Sequence, residues 1–158
     1  MVDDPLPSGY LDAGRAFWGA LKHLGLVPEA LFWAEDKTID EFVLVLITSH
    51  FDTKGPKEIY RLLTRAYNLA ATPATISPFI VRLHSPSQAS SQAILDGEYS
   101  TSADFAYFTL NRGDLTYRDK WIYTAKYKNG SVKVKKLSPV DRSRQWNRFK
   151  TNVERLAA

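Results

Sequence analysis

Two histidines and an aspartate are the residues of this 158-residue chain whose spacing points to metal or anion chemistry. Residues 48–52 read Thr-Ser-His-Phe-Asp and residues 84–87 read His-Ser-Pro-Ser. Each run follows a short apolar stretch, residues 42–47 in the first case and 79–83 in the second. If those stretches are parallel neighbours in a sheet, both polar runs lie at its carboxyl edge. Open α/β sheets bind ligands there, and helix N-termini offer unpaired N–H groups to an anion. In an extended segment His50 and Asp52 alternate onto one side, and His84 then completes a two-histidine, one-carboxylate set for a metal or a small anion. The structural alternative is that Asp52 fixes a turn through hydrogen bonds to the backbone, with both histidines solvated or hydrogen-bonded at strand ends.

Other routes to catalysis lack a signature. Ser49, Ser85 and Ser87 stand near a histidine in sequence, but no Gly-x-Ser-x-Gly elbow is present. Neither a Gly-x-Gly-x-x-Gly run nor a phosphate loop occurs. The chain contains no cysteine, which excludes disulfides, thiol catalysis and cysteine-ligated zinc or iron-sulfur centres. The carboxylates Glu35, Asp36, Asp40 and Glu41 crowd one predicted turn and read as its solvated charges. No catalytic residue is assigned, and no cofactor is expected.

The elements that must position these residues follow from periodicity. Residues 42–47 are an unbroken, β-branched-rich apolar run and predict a strand covered on both faces. Gly55 ends the next turn, Pro56 suits a first helical position, and Ile59, Leu62, Leu63, Ala66 and Leu69 or Ala70 recur at helical spacing. Before this unit, residues 1–9 read as a flexible lead-in. A helix capped by Ser8 is expected from Tyr10 to a stop at Gly25, carrying Tyr10, Phe17, Trp18, Leu21 and Leu24 on one face. Residues 30–35 then form a hairpin with the central strand. Beyond it the pattern predicts a strand at 79–83, a serine-rich helix at 85–97 and strands at 104–110 and 120–127. Asn129-Gly130 makes a hairpin turn into an alternating valine-lysine strand. Ser138 caps a last helix whose Trp146, Phe149, Val153 and Leu156 form a stripe to dock on the sheet. The predicted fold is a single α+β domain over 1–158 in the order α-β-β-α-β-α-β-β-β-α, with a mixed sheet of about six strands and helices packed on it.

Phe32, Trp33, Asp52, Gly55, Pro56, Tyr60 and, near the end, Tyr123 fall in a pattern that resembles a group of small bacterial proteins: an aromatic hairpin strand, a hydrophobic strand, an Asp, then Gly-Pro opening a helix. The resemblance implies a strand-turn-helix unit in a bacterial protein and brings no activity with it. His50 stands where that pattern has a small residue or Pro.

Charge supplies the remaining lead. Residues 1–111 hold 8 Lys and Arg against 13 Asp and Glu, whereas residues 112–158 hold 13 against 4, so a net −5 is followed by a net +9. On the last helix Arg144, Arg148 and Arg155 fall within about 40° at 100° per residue, opposite the apolar stripe. Lys133 and Lys135 extend that charge on the preceding strand, and Lys57, Arg61 and Arg65 form a second basic row. Tyr117, Trp121, Tyr123 and Tyr127 could stack on bases. Such an asymmetry speaks to association rather than fold. It predicts a non-enzymatic interaction module whose basic C-terminal third engages a protein or other acidic macromolecule. The alternatives are nucleic-acid binding through the basic helix, and a small ligand or metal protein around His50, Asp52 and His84. The N-terminus is acidic, and no apolar run approaches the roughly 20 residues of a membrane span, so a cytoplasmic chain without membrane contact is expected. No oligomeric state follows from the sequence.

Overall fold

The computed structural model describes residues 5–88, 108–110, 115–125 and 137–156. It is α+β, with one mixed sheet and four α-helices among the described residues. Strands β1 (Ala30–Asp36) and β2 (Glu41–Ile47) form the expected antiparallel hairpin, with Ala30 opposite Ile47 and Asp36 opposite Glu41. Its turn is locally determined: Asp36 Oδ1 accepts from the Thr38 N–H, and Asp40 takes a positive φ of 55° that Asp tolerates better than most residues. On its other side β2 pairs in parallel with β3 (Val81–His84). It is therefore the interior strand its apolar run predicts, and Val43 to Ile47 are buried. β1 carries two further partners along its free edge, β5 (Leu115–Tyr117) at Glu35 and Asp36, and β6 (Ile122–Ala125) at residues 30–32. β4 (Phe108–Leu110) completes the sheet against β5.

Helix α1 (Tyr10–Leu24) buries Gly14, Phe17, Leu21 and Leu24 and ends on Gly25 in the left-handed region, where a missing Cβ removes the steric cost. Its N-cap is Gly9 rather than Ser8, and no side chain caps it. A short helix α2 (His50–Lys54) and the amphipathic α3 (Pro56–Asn68) follow β2, with Gly55 between them and Pro56 at the first turn of α3. The α3 face of Ile59, Leu62, Leu63 and Ala66 is buried as expected. Pro78 opens a turn of 3-10 helix with Ser77 as its cap, so β3 begins at Val81 instead of Phe79. The last helix, α4 (Pro139–Glu154), carries its N-cap at Ser138, whose Oγ accepts from the Asp141 N–H at 3.1 Å.

Four expectations change. Residues 50–54 are helical where an extended turn was expected, and residues 115–117 add a strand where the pattern assigned no element. The strand expected from about 120 begins at Ile122, behind a 3-10 turn at Asp119–Trp121. The stripe of α4 docks chiefly on α1 and α3 rather than on the sheet. Free carbonyls at two helix C-termini tie it there: Arg65 reaches from α3 to Val153 O at 3.3 Å and Leu156 O at 3.2 Å, while Asn152 of α4 donates to Leu24 O at the end of α1 at 2.8 Å. Of the serine-rich helix expected at 85–97, residues 85–88 form a turn closed by the Gln88 N–H donating to Ser85 O; the rest of it, the Asn129-Gly130 turn and the valine-lysine strand up to residue 136 lie outside the described residues.

Candidate functional site

The parallel register brings the ends of β2 and β3 together as expected, with Ile47 opposite His84 and the Thr48 N–H donating to His84 O at 3.1 Å. Helix α2 begins at that edge. Thr48 starts it, accepting from the His50 N–H on Oγ1 and from the Phe51 N–H on its carbonyl. Residues two apart on a helix point about 200° apart, so His50 and Asp52 diverge where an extended segment would have aligned them. His50 turns inward to α4, with Nε2 2.8 Å from Gln145 Oε1 and its ring centroid 5.3 Å from that of Trp146. Asp52 stays exposed and accepts from Ser85 Oγ at 2.6 Å. His84 instead meets the side chain of Gln88. The three residues do not converge, and no group of three or more His, Asp or Glu side chains suited to a metal occurs among the described residues. Burial pushes both His50 and His84 below the ordinary histidine value, so both rings are neutral at pH 7.

The serines at this edge are structural. Ser85 gives its proton to Asp52, its Oγ lies 2.7 Å from Ser87 Oγ and accepts from the Ser87 N–H, and its own N–H donates to Gln88 Oε1. No imidazole takes a proton from Ser85 in this network, so it is held as a turn and not armed as a nucleophile. Replacing Ser85 with Ala is expected to cost about 1–3 kcal/mol, because the lost bond has a charged acceptor. Chemical denaturation measures it, and a variant as stable as the parent would remove this network from the stabilising contacts. Opposite, Glu29 is a buried carboxylate that the sequence reading missed. It accepts from Ser49 N at 3.0 Å and Ser49 Oγ at 2.8 Å and so holds the start of α2. Its only sequence signal was a Pro-Glu before an apolar strand, which marks a turn equally well.

The cations divide into those the fold uses and those it leaves outside. Arg15 holds Asp12, Arg82 holds Asp36, and Arg61 holds both Glu58 and Glu154. Arg65 serves the C-terminal carbonyls of α4 and Arg142 donates to Leu137 O. Of the second basic row, only Lys57 is therefore left over. Arg144, Arg148 and Arg155 are exposed, and no ion pair among the described residues engages them. The Arg148 stem lies over Gly25, where an added Cβ would come within 2.8 Å of Cγ. The bare glycine thus seats the stem, and the guanidinium is carried outward. At 1.5 Å per residue the three arginines span roughly 16 Å of helix. Lys133, Lys135 and Tyr127 lie outside the described residues. The aromatics proposed for base stacking are otherwise core: Tyr117 and Trp121 are buried, and Tyr123 Oη donates to Leu11 O at 2.6 Å.

A further surface feature had no sequence signal. Phe79 is 94% exposed on the rim of a groove of about 390 Å³ between Tyr60, Tyr67 and Pro78, on a different flank of α3 from the one that meets α4. What the fold defines is a class, an α+β protein with one mixed sheet. Comparison with family models, with curated proteins and with solved structures gives no match, so function is read from the residues alone.

Proposed function

We propose that this protein is a non-enzymatic interaction module of a bacterial cytoplasm, and that the arginine stripe of α4 engages an acidic macromolecule, foremost a protein. One observation carries the reading: the five arginines Arg15, Arg61, Arg65, Arg82 and Arg142 each hold a carboxylate or a carbonyl, whereas Arg144, Arg148 and Arg155 hold none among the described residues and share one face. Exposed guanidinium groups in a row complement a row of carboxylates or phosphates, which steers encounter and sets register. A protein is favoured over nucleic acid because Tyr117 and Trp121 are spent in the core and Phe79, an exposed aromatic, borders an apolar groove of the kind protein partners anchor in.

The test is affinity capture from bacterial lysate with and without nuclease, followed by titration with the captured partner, using Arg144→Gln, Arg148→Gln and Arg155→Gln together. Glutamine keeps the stem over Gly25 while removing the charge. The triple variant is expected to keep its thermal stability and to bind more weakly by up to about 150-fold, at up to about 1 kcal/mol per exposed charge pair. Undiminished binding by this variant refutes the reading. If capture depends on nucleic acid, a salt titration decides between contact sets on duplex DNA. Three arginines alone give log K falling by about 2.7 per decade of salt, and adding Lys133 and Lys135 gives about 4.5.

A further inference from the structure

His50 is 1% exposed and sits where three elements meet. It belongs to α2, its Nε2 lies 2.8 Å from Gln145 Oε1 on α4, and its ring is tilted against Trp146 of the same helix. The amide oxygen of Gln145 only accepts, so Nε2 carries the proton, and Nδ1 is a buried nitrogen with no hydrogen-bond partner among the described residues. A neutral imidazole tolerates this. A second proton would make Nδ1 a buried donor without an acceptor, in a place already facing two cations, Arg142 from α4 and Lys54 from α2. Among the described residues the carboxylate facing it is Glu29, from the segment before β1, and that carboxylate already accepts from Ser49 N and Ser49 Oγ.

We infer that His50 is an acid-sensitive latch for α4: protonating its ring releases the helix from the body of the protein and withdraws the arginine stripe from its partner. The consequence for binding rests on α4 being the interaction surface; the release itself needs no partner. The direction follows from linkage. Burial holds the docked ring below its free value, so the undocked state binds more protons. Docking is therefore complete above about pH 6.5 and weakens as the pH falls toward the docked value. His84 is shifted in the same direction, but it sits on β3 and pairs with Gln88, so its titration acts on the strand edge and not on α4.

Amide hydrogen exchange on the full chain between pH 7.5 and 5.5, corrected for intrinsic rates, tests the latch by comparing residues 139–154 with residues 10–24. Protection of α4 relative to α1 is expected to fall by up to about tenfold per pH unit, the slope of one proton. The fall persists in His84→Gln and is absent in His50→Gln. Gln145→Glu sets a carboxylate against Nε2, favours the charged ring and keeps α4 protected at pH 5.5; it serves if His50→Gln does not fold. Equal loss of protection in α1 and α4, or a selective fall that survives in His50→Gln or in Gln145→Glu, overturns the latch. Because exchange is read without a partner, a protein that shows the fall yet binds nothing acidic contradicts the arginine surface and leaves the latch standing.

Discussion

Replacing Phe149 with Ala is expected to destabilise the protein by about 3–5 kcal/mol, the usual cost of emptying a fully buried phenylalanine site. Phe149 has no exposure and lies between Trp146 and Val153 on the buried face of α4. Its ring centroid is 5.9 Å from that of Trp146, which in turn covers His50. The cavity therefore opens where α4 meets the rest of the core, and the helix should loosen before the sheet does. For a chain of this size the loss corresponds to a melting temperature lower by roughly 6–20 °C. Thermal and chemical denaturation measure it, and a shift below about 3 °C would mean that α4 contributes little to the cooperative unit. The comparison with the arginine variants is informative: Phe149→Ala should reduce stability and partner binding together, whereas the glutamine triple variant should reduce binding alone.

Gly14→Ala should destabilise by about 2–3 kcal/mol, although helix propensity by itself predicts a gain of about 1 kcal/mol in the middle of α1. An added Cβ would collide with Tyr123 Oη and come within 2.7 Å of Trp33 Nε1. Those atoms belong to one network: Trp33 Nε1 donates to Tyr10 O and to Tyr123 Oη, each at 3.0 Å, and Tyr123 Oη donates to Leu11 O. It joins β1 and β6 to the first turn of α1. Moving the tyrosine aside strips a buried indole of one acceptor, and the tilted ring pair of Tyr10 and Trp33, 4.9 Å apart, must shift with it. Near-ultraviolet circular dichroism with denaturant melts reads both effects. A variant more stable than the parent would show that the contact yields easily and that propensity decides.

Much of the framework was legible in the chain because it is set by local physics. The run at 42–47 can only be satisfied with both faces covered, and it became the interior strand between β1 and β3. Gly25 and Ser138 act within a few residues of themselves, so the end of α1 and the start of α4 were readable as well. Ser8 was misread as a cap because Gly9 takes that place in a left-handed conformation, a choice that depends on how the chain enters the fold. The turn after β2 was misread for a related reason. Thr48, not Asp52, accepts the first free N–H groups, and this makes residues 50–54 a helix that separates His50 from Asp52.

By itself, then, the sequence determined the α+β class, the β1-β2 hairpin, the apolar faces of α1, α3 and α4, and the set of arginines that fall on one side of α4. It did so because backbone hydrogen bonding and side-chain periodicity act over a few residues. Only the tertiary structure decided which of those groups are spent. Arg61 and Arg65 looked as available as Arg144 and Arg148 until the C-terminus of α4 came to rest against α3 and used them. In the same way, Tyr117 and Trp121 looked like stacking platforms until they entered the core, and His50 looked like a ligand until α4 covered it. Availability is a property of residues some 90 positions apart in the chain, whose contacts depend on how elements pack, and no local pattern encodes that.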